Sequence, residues 1–387
     1  MGLFGSALPD FPWDLLTPYA DRARAHPDGI VDLSVGTPVD PSPPAVRAAL
    51  EAASDSPGYP PTAGTPALRE AVVDWFARRR GVRALAERGV LPTVGSKELV
   101  ALLPSLLGLG AGDVVVHPSA AYPTYDVGAR LAGARPLPSD DPAAVLDAAD
   151  PVADAVRLVW LNSPSNPTGQ VLDVAALAAV VAAARRARER HGHQVVVAAD
   201  ECYAELAWER PWVDDGVPSL LDPRVAGGDT PGDLAGLLAV YSLSKQSNLA
   251  GYRAAFVAGD EHLLAPVLEV RKHAGFMVPG PVQAAMLAAL GDDEHVAVQR
   301  ERYARRRTAL RQALEGAGYV VDGSEAGLYL WARPEGGQDS WSTVADLAGL
   351  GILAAPGAFY GDDVHVRLAL TATDERVAQA VARLTGA

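Results

Sequence analysis

Lys245 stands in the segment YSLSKQSNLAGYR (241–253), with Ser242 and Ser244 just before it and Arg253 eight residues on. A lysine amine condenses with an aldehyde once burial and neighbouring charge lower its pKa. Two hydroxyls and a guanidinium offer neutral donors plus a bidentate cation, the set a phosphate dianion takes. AADECYAEL (198–206) places Asp200 at the end of an apolar run, followed by Tyr203. A carboxylate there can hold a pyridine nitrogen protonated, so that the ring accepts electrons. Tyr203, and Asn166 in NSPSNPTG (162–169), can hydrogen-bond a phenolate oxygen on the same ring. VGSKEL (94–99) starts a helix at Ser96 and Lys97. The free N–H groups of a helix start bind anions. Tyr122, in AYPTY (121–125), offers a face on which a planar ring can stack. Taken singly, each is a common pattern: a polar loop, a helix cap, an Asn-Pro turn.

The elements that must position these groups alternate. VLPTV (90–94), DVVVHP (113–118), RLVWLN (157–162), QVVVAAD (194–200) and LLAVYS (237–242) are continuous apolar runs. Such runs are strands covered on both faces. Helical spacing is expected over 44–53, 65–80, 96–107, 125–131 and 174–189. Strand–helix alternation predicts an α/β fold with a mostly parallel sheet. The candidate groups then follow strand ends, where open α/β sheets bind ligands. The C-terminal third changes character: a long charged helix over 292–314, short strands at 319–321, 327–332 and 365–370, and a final helix over 374–384. That is an α+β pattern. The expected organisation is an N-terminal arm with part of a small domain (1–45), a large domain (46–280) and a small C-terminal domain (281–387).

The 387 residues carry 33 Lys+Arg against 47 Asp+Glu, a formal charge of −14. An acidic chain lacks the clustered cations that nucleic acid needs, and RERYARRR (300–307) reads as a solvated helix face. The single cysteine, Cys202, excludes a disulfide framework and a multi-cysteine metal site. No H-E-x-x-H occurs, so no metal is expected. The apolar stretch from Leu99 to Gly112 is too short to cross a membrane. No basic residue precedes Arg22, so a cytoplasmic location is expected.

The ordered set G-x-P, Y-x(4)-G-x(3)-L-R, N-P-T-G, D-E-x-Y and S-x-S-K-x(7)-R resembles the class I/II aminotransferases, from about Val31 to Leu384. These are fold-type I enzymes that use pyridoxal 5′-phosphate. The resemblance implies that Lys245 links to the cofactor aldehyde and that Asp200 pairs with the pyridinium. Asn166 and Tyr203 would bond the ring oxygen, and Tyr122 would stack on the ring. Ser96, Lys97, Ser242 and Arg253 would hold the phosphate. It also implies a homodimer with sites at the interface, Tyr59 reaching the neighbouring subunit's phosphate. Arg367 would clamp a substrate α-carboxylate beside Gly36 and Asn166.

A narrower resemblance is carried by SVGTPVDPSPP, PTVGSKELVA, LVWLNSPSNPTG, SLSKQSNLAGYRA and SEAGLYLWA. These are similar to succinyldiaminopimelate aminotransferases, which interconvert N-succinyl-2-amino-6-oxopimelate and glutamate with N-succinyl-LL-2,6-diaminopimelate and 2-oxoglutarate on the route to lysine. Such a polyanion needs distal cations; Arg271, Lys272 and His273 are candidates, with Lys97 and Arg22 behind them. Transamination of acetylornithine or of aromatic or aliphatic amino acids, and carbon–sulfur elimination on the same scaffold, remain open.

Overall fold

The structure is a computed structural model that describes residues 8, 9 and 11–386. The first seven residues, part of the expectation about the N-terminus, lie outside the described ones. The chain forms β1 (Val31–Asp32), then β2 (Val90–Val94), β3 (Val114–His117), β4 (Arg135–Pro138), β5 (Val156–Asn162), β6 (Val196–Asp200), β7 (Leu237–Ser242) and β8 (Ala254–Gly259). The C-terminal part adds β9 (Tyr319–Asp322), β10 (Tyr329–Pro334), β11 (Ile352–Leu353), β12 (Ala355–Pro356) and β13 (Val366–Ala369).

Seven strands make the large sheet, in the order β2-β8-β7-β6-β5-β3-β4. β3 to β7 pair in parallel, while β8 runs antiparallel to both β7 and β2. The expected α/β sheet is therefore present, with two strands the apolar runs did not reveal. One is β4, RPLP, whose prolines suit a sheet edge where a missing N–H is harmless. The other is β8. Residues 243–253 join β7 to β8, a connection too short for a parallel crossover, so the chain turns back. That return sets Ser242 opposite Ala255 and Val94 opposite Ala254. The ends of β2, β5, β6 and β7 and the start of β8 thus share one sheet edge.

Helices cover both faces. The helix Pro66–Arg80 shows how local sequence sets its limits. Thr65 caps its start by accepting from the Leu68 N–H, Pro66 occupies the first turn, and Gly81 ends it in the left-handed region. Trp75 and Phe76 from this helix pack against Tyr241 and Phe256 of the sheet.

A second core forms around the antiparallel sheet β12-β13-β10-β9. Leu16, Ala20, Val31 and Leu33 of the N-terminal segment join it, and β1 pairs with β11. The helix Gly280–Leu290 instead packs in the large core through Met286, Ala289 and Leu290.

The basic run at 300–307 departs from its solvated reading. On the helix Glu294–Gly316, Arg306 is buried and bridges Asp40 and Asp374. Arg307 is buried on Glu209 and the Ser324 carbonyl. Each charge is desolvated against a carboxylate from a distant segment, a pairing that local spacing cannot show. Among the described residues, no helix is long and apolar enough to cross a membrane.

Candidate active site

The shared sheet edge opens into a cavity of about 270 Å³. Gly36, Ser96, Lys97, Tyr122, Asn166 and Asp200 line it, as do Tyr203, Ser242, Lys245, Arg253 and Arg367. Of the twelve site residues expected from sequence, only Tyr59 is elsewhere; it is 94% exposed.

Lys245 sits on the short helix Leu243–Gln246 directly after β7. Its amine donates to the Gly36 carbonyl. Burial pulls the amine below the usual lysine range, and the Arg367 and Arg253 charges add to this against Tyr329 and Cys202. A lowered pKa leaves more of the amine as the free base, the form that attacks a carbonyl or takes a proton. Asp200 ends β6, where Tyr125 donates to its Oδ2 at 3.1 Å and the Cys202 N–H to its Oδ1 at 3.2 Å. Burial nevertheless raises the Asp200 carboxyl, because these donors only partly offset lost hydration.

On the other side, Arg367 of β13 is buried between the rings of Tyr329 and Tyr360, 4.0 and 4.8 Å from their centroids. Its guanidinium donates to Asn166 Oδ1 at 2.9 Å and to the Ser34 carbonyl at 2.6 Å. No carboxylate of the chain pairs with it among the described residues, although Asp362 and Asp363 lie close in sequence. Asn166 is held by its own N–H on Asn162 Oδ1 at 2.7 Å.

At the far end, Ser242 Oγ donates to Ser244 Oγ at 2.8 Å. Arg253 lies against Gly95, where any side chain would strike the guanidinium. Gly95 also has φ +77°, which favours glycine. This close approach brings Arg253 to the N-terminus of the helix Ser96–Leu106. Lys97 Nζ sits 5.2 Å from the Tyr122 ring centroid and 5.7 Å from that of Phe11.

Arg271 is not a distal substrate cation. It is fully buried, with its guanidinium on both Glu98 oxygens at 2.7 and 3.1 Å. Glu98 in turn accepts the Val94 N–H at 3.2 Å. The pair therefore fixes the turn that starts the Ser96 helix. Arg271→Met leaves Glu98 unpaired, and loss of one partner of such a pair costs about 3 kcal/mol. A lower thermal midpoint and faster loss of bound cofactor on dialysis are expected. Lys272 pairs with Glu269 at 2.7 Å on the exposed helix face; neither it, His273 nor Arg22 lines the cavity, and of the distal candidates only Lys97 does.

Sequence reading missed Tyr125, which touches Asp200, and Tyr329 and Trp13, which line the cavity. Tyr125 carried a faint signal, standing three residues after Tyr122 on the same turn. Tyr329 and Trp13 come from segments without chemical marks.

These groups fit the pyridoxal 5′-phosphate that the sequence resemblance implies. The raised Asp200 carboxyl lacks a cation, which a protonated ring nitrogen would supply. Arg253, the serines and the helix start form an anion cradle, and Lys245 is a lowered amine between the two.

The comparisons agree. The family model "Aminotransferase class I and II" matches residues 28–384. The chain is 56% identical over 380 residues to the 4-dedimethylamino-4-oxo-anhydrotetracycline transaminase OxyQ of Streptomyces rimosus, covering 98% of this chain and 99% of that one. It is 58% identical over 386 residues to the "Probable aminotransferase Rv1178" of Mycobacterium tuberculosis, covering 99% and 87%. A solved structure described as a probable N-succinyldiaminopimelate aminotransferase from Thermus thermophilus superposes with a TM-score of 0.83 at 29% identity, covering 97% of this chain and 100% of that one. Fold, cavity and these matches together place the chain in the class I and II aminotransferases, fold-type I enzymes that depend on pyridoxal 5′-phosphate.

Proposed function

We propose that this aminotransferase exchanges an amino group between glutamate and N-succinyl-2-amino-6-oxopimelate, giving 2-oxoglutarate and N-succinyl-LL-2,6-diaminopimelate. Lys97 carries the substrate assignment. With Arg367 on the α-carboxylate and Arg253 on the cofactor phosphate, Lys97 is a further cavity cation, set beside Tyr122. A long polyanionic acceptor needs such a charge.

When bound, the cofactor supplies an electron-accepting ring and an aldehyde carbon that takes the amino group. The residues do the rest. Ser242, Arg253 and the backbone N–H groups of the helix start at Ser96 and Lys97 would hold the phosphate, leaving the Lys97 ammonium for substrate. Tyr122 would stack on the ring, while Asn166 and Tyr203 would donate to its oxygen. The Asp200 carboxylate keeps the proton on the ring nitrogen. Arg367, with Gly36 beside it, orients the donor's α-carboxylate. Lys245 Nζ would take the proton from the donor's α-carbon.

We read residues 1–45 as an arm completing the small domain, 46–280 as the cofactor-binding domain and 281–387 as the small domain, except that the helix Gly280–Leu290 packs in the core of the large one. We further propose a homodimer, in which the exposed Tyr59 meets the phosphate of the second copy. Sedimentation at a dimer mass supports this; a monomer at assay concentration opposes it. A reducing cytoplasm suits the lone, buried Cys202.

A single-turnover screen tests the substrate. The loaded enzyme is mixed with glutamate, N-succinyl-LL-diaminopimelate, acetylornithine, aspartate and aromatic amino acids. Conversion of the cofactor's visible band is expected with the first two, and conversion mainly by the others rejects the assignment. A second reading comes from the cavity mouth, where Trp13 packs on Tyr122 and Phe359, centroids 6.1 and 5.4 Å apart. An aromatic wall suits a planar fused-ring ketone of the kind named for the Streptomyces relative. Glutamate-dependent amination of such a ketone, with no response to the succinylated compound, favours it.

A further inference from the structure

We propose that Asn162 is a positioning residue that acts through Asn166, setting where Asn166 meets the cofactor's ring oxygen and where Arg367 meets the substrate carboxylate. The inference rests on the roles read above for Asn166 and Arg367 and goes one residue behind them. Asn162 is the last residue of β5, paired in register with Asp200 at the end of β6. It borders the cavity, yet its polar atoms are turned onto the protein. Nδ2 donates to the Asp200 carbonyl at 3.0 Å and to the Pro164 carbonyl at 3.1 Å. Oδ1 accepts the Asn166 N–H at 2.7 Å. An asparagine amide has two donor protons, so Asn162 has none left for a ligand.

Asn166 is thereby held at two points. Its backbone N–H is on Asn162, and its Oδ1 takes the Arg367 guanidinium at 2.9 Å. With Oδ1 turned to Arg367, Nδ2 lies on the opposite branch of the amide. No protein group accepts from that Nδ2 among the described residues, and Asn166 lines the cavity. Nδ2 is the donor available to a ring oxygen.

The turn that carries Asn166 is otherwise tied to the C-terminal part of the chain. The N–H groups of Ser324 and Ala326 donate to the Thr168 and Gly169 carbonyls at 2.7 and 3.0 Å. On the side of the large sheet, the Ser163 N–H donates to the Asp200 carbonyl at 3.2 Å and the Leu172 N–H to Ser163 Oγ at 2.9 Å. Neither of these touches Asn166. One hydrogen bond from Asn162 therefore fixes Asn166 against the strand end that carries Asp200. Two groups that meet one ring must keep their spacing, and spacing of this kind is worth rate.

Asn162→Ala removes the acceptor of the Asn166 N–H and leaves every group assigned to cofactor or substrate in the chain. The visible band of the lysine-linked cofactor changes as the linking nitrogen loses its proton. A donor on the ring oxygen stabilises the charge left there, so a misplaced Asn166 should move the band's pH midpoint up. The expected rise is roughly 0.5 to 1 pH unit, the equivalent of one hydrogen bond. The glutamate KM should rise roughly two- to tenfold on the same ground. kcat should fall less than about threefold, because Lys245 and the Asp200 carboxyl keep their own partners. The variant Asn162→Ala/Asn166→Ala should match Asn166→Ala alone, since no side chain then remains to be positioned. If Asn162→Ala does not fold, Asn162→Ser, one bond shorter but able to seat a water in the gap, is read in the same way.

A lower thermal midpoint with the band midpoint and KM unchanged overturns the proposal, because Asn162 would then only stabilise the turn. Shifts that add in the double variant also overturn it. Asn166→Ala separates the two levels. If it leaves band midpoint and KM unchanged, the role of Asn166 falls and this inference with it. If it moves them while Asn162→Ala does not, this inference alone falls.

Discussion

Lys245→Ala is expected to lower turnover by roughly ten-thousandfold, the upper range for a lost acid–base group. The visible absorbance band of the lysine-linked cofactor should vanish with it. The variant tests two jobs of one amine, since the nitrogen that holds the cofactor is also the one freed to take the α-proton. The structure supplies the reason it can do both. Burial has pushed the amine below its ordinary range, and the Gly36 carbonyl gives its proton somewhere to point. Borohydride reduction should attach cofactor mass to Lys245 in the wild type and to nothing in the variant. Cofactor held only by the phosphate cradle should still be present, weakly, because Ser242, Arg253 and the Ser96 helix start are untouched. Retained turnover, or reduction at another lysine, would end the assignment.

The positions of Lys245, Asp200 and Asn166 were readable from the chain because local pattern determines them. Each follows a continuous apolar run, such runs become buried parallel strands, and the carboxyl ends of those strands share one edge. Arg253 was readable as a residue but not as a place. AAFVAG was not among the expected strands, and its antiparallel return, which carries Arg253 to the Ser96 helix, follows from the shortness of the β7–β8 connection. Arg271 shows where local pattern fails. It has the composition of a solvated helix face, yet its partner Glu98 is 173 positions away. A charge whose partner is that distant carries no mark in its own neighbourhood. The same holds for Arg306 on Asp40 and for Tyr329, which reaches the site only because β10 and β13 fold back over it. Chemistry set at strand ends was legible; contacts between the two cores were not.

Asp200→Asn should separate function from stability. The amide keeps the shape of the carboxyl but cannot hold a proton on the ring nitrogen, so kcat is expected to fall roughly 10²- to 10³-fold, as when a buried group aimed at developing charge is lost. In cofactor-free protein the sign reverses. The folded Asp200 carboxyl is raised above its unfolded value by burial, so the folded chain holds that proton more tightly than the unfolded one. Its stability is favoured below the unfolded value and declines as pH rises through the folded value. Wherever that carboxyl is ionised, the cofactor-free wild type buries a carboxylate without a cation, and the amide relieves it. The cofactor-free variant should be more stable by about 1 kcal/mol at pH 7, the usual size of gain when a strained functional group is replaced. That advantage should shrink as the pH is lowered and Asp200 becomes neutral. Adding pyridoxal phosphate should raise the wild type's thermal midpoint more than the variant's, because only the carboxylate gains a cation. Equal cofactor shifts in both proteins would mean that Asp200 does not face the ring nitrogen. A less stable cofactor-free variant would mean that Tyr125 and the Cys202 N–H already satisfy the carboxylate, leaving the cofactor no charge to neutralise.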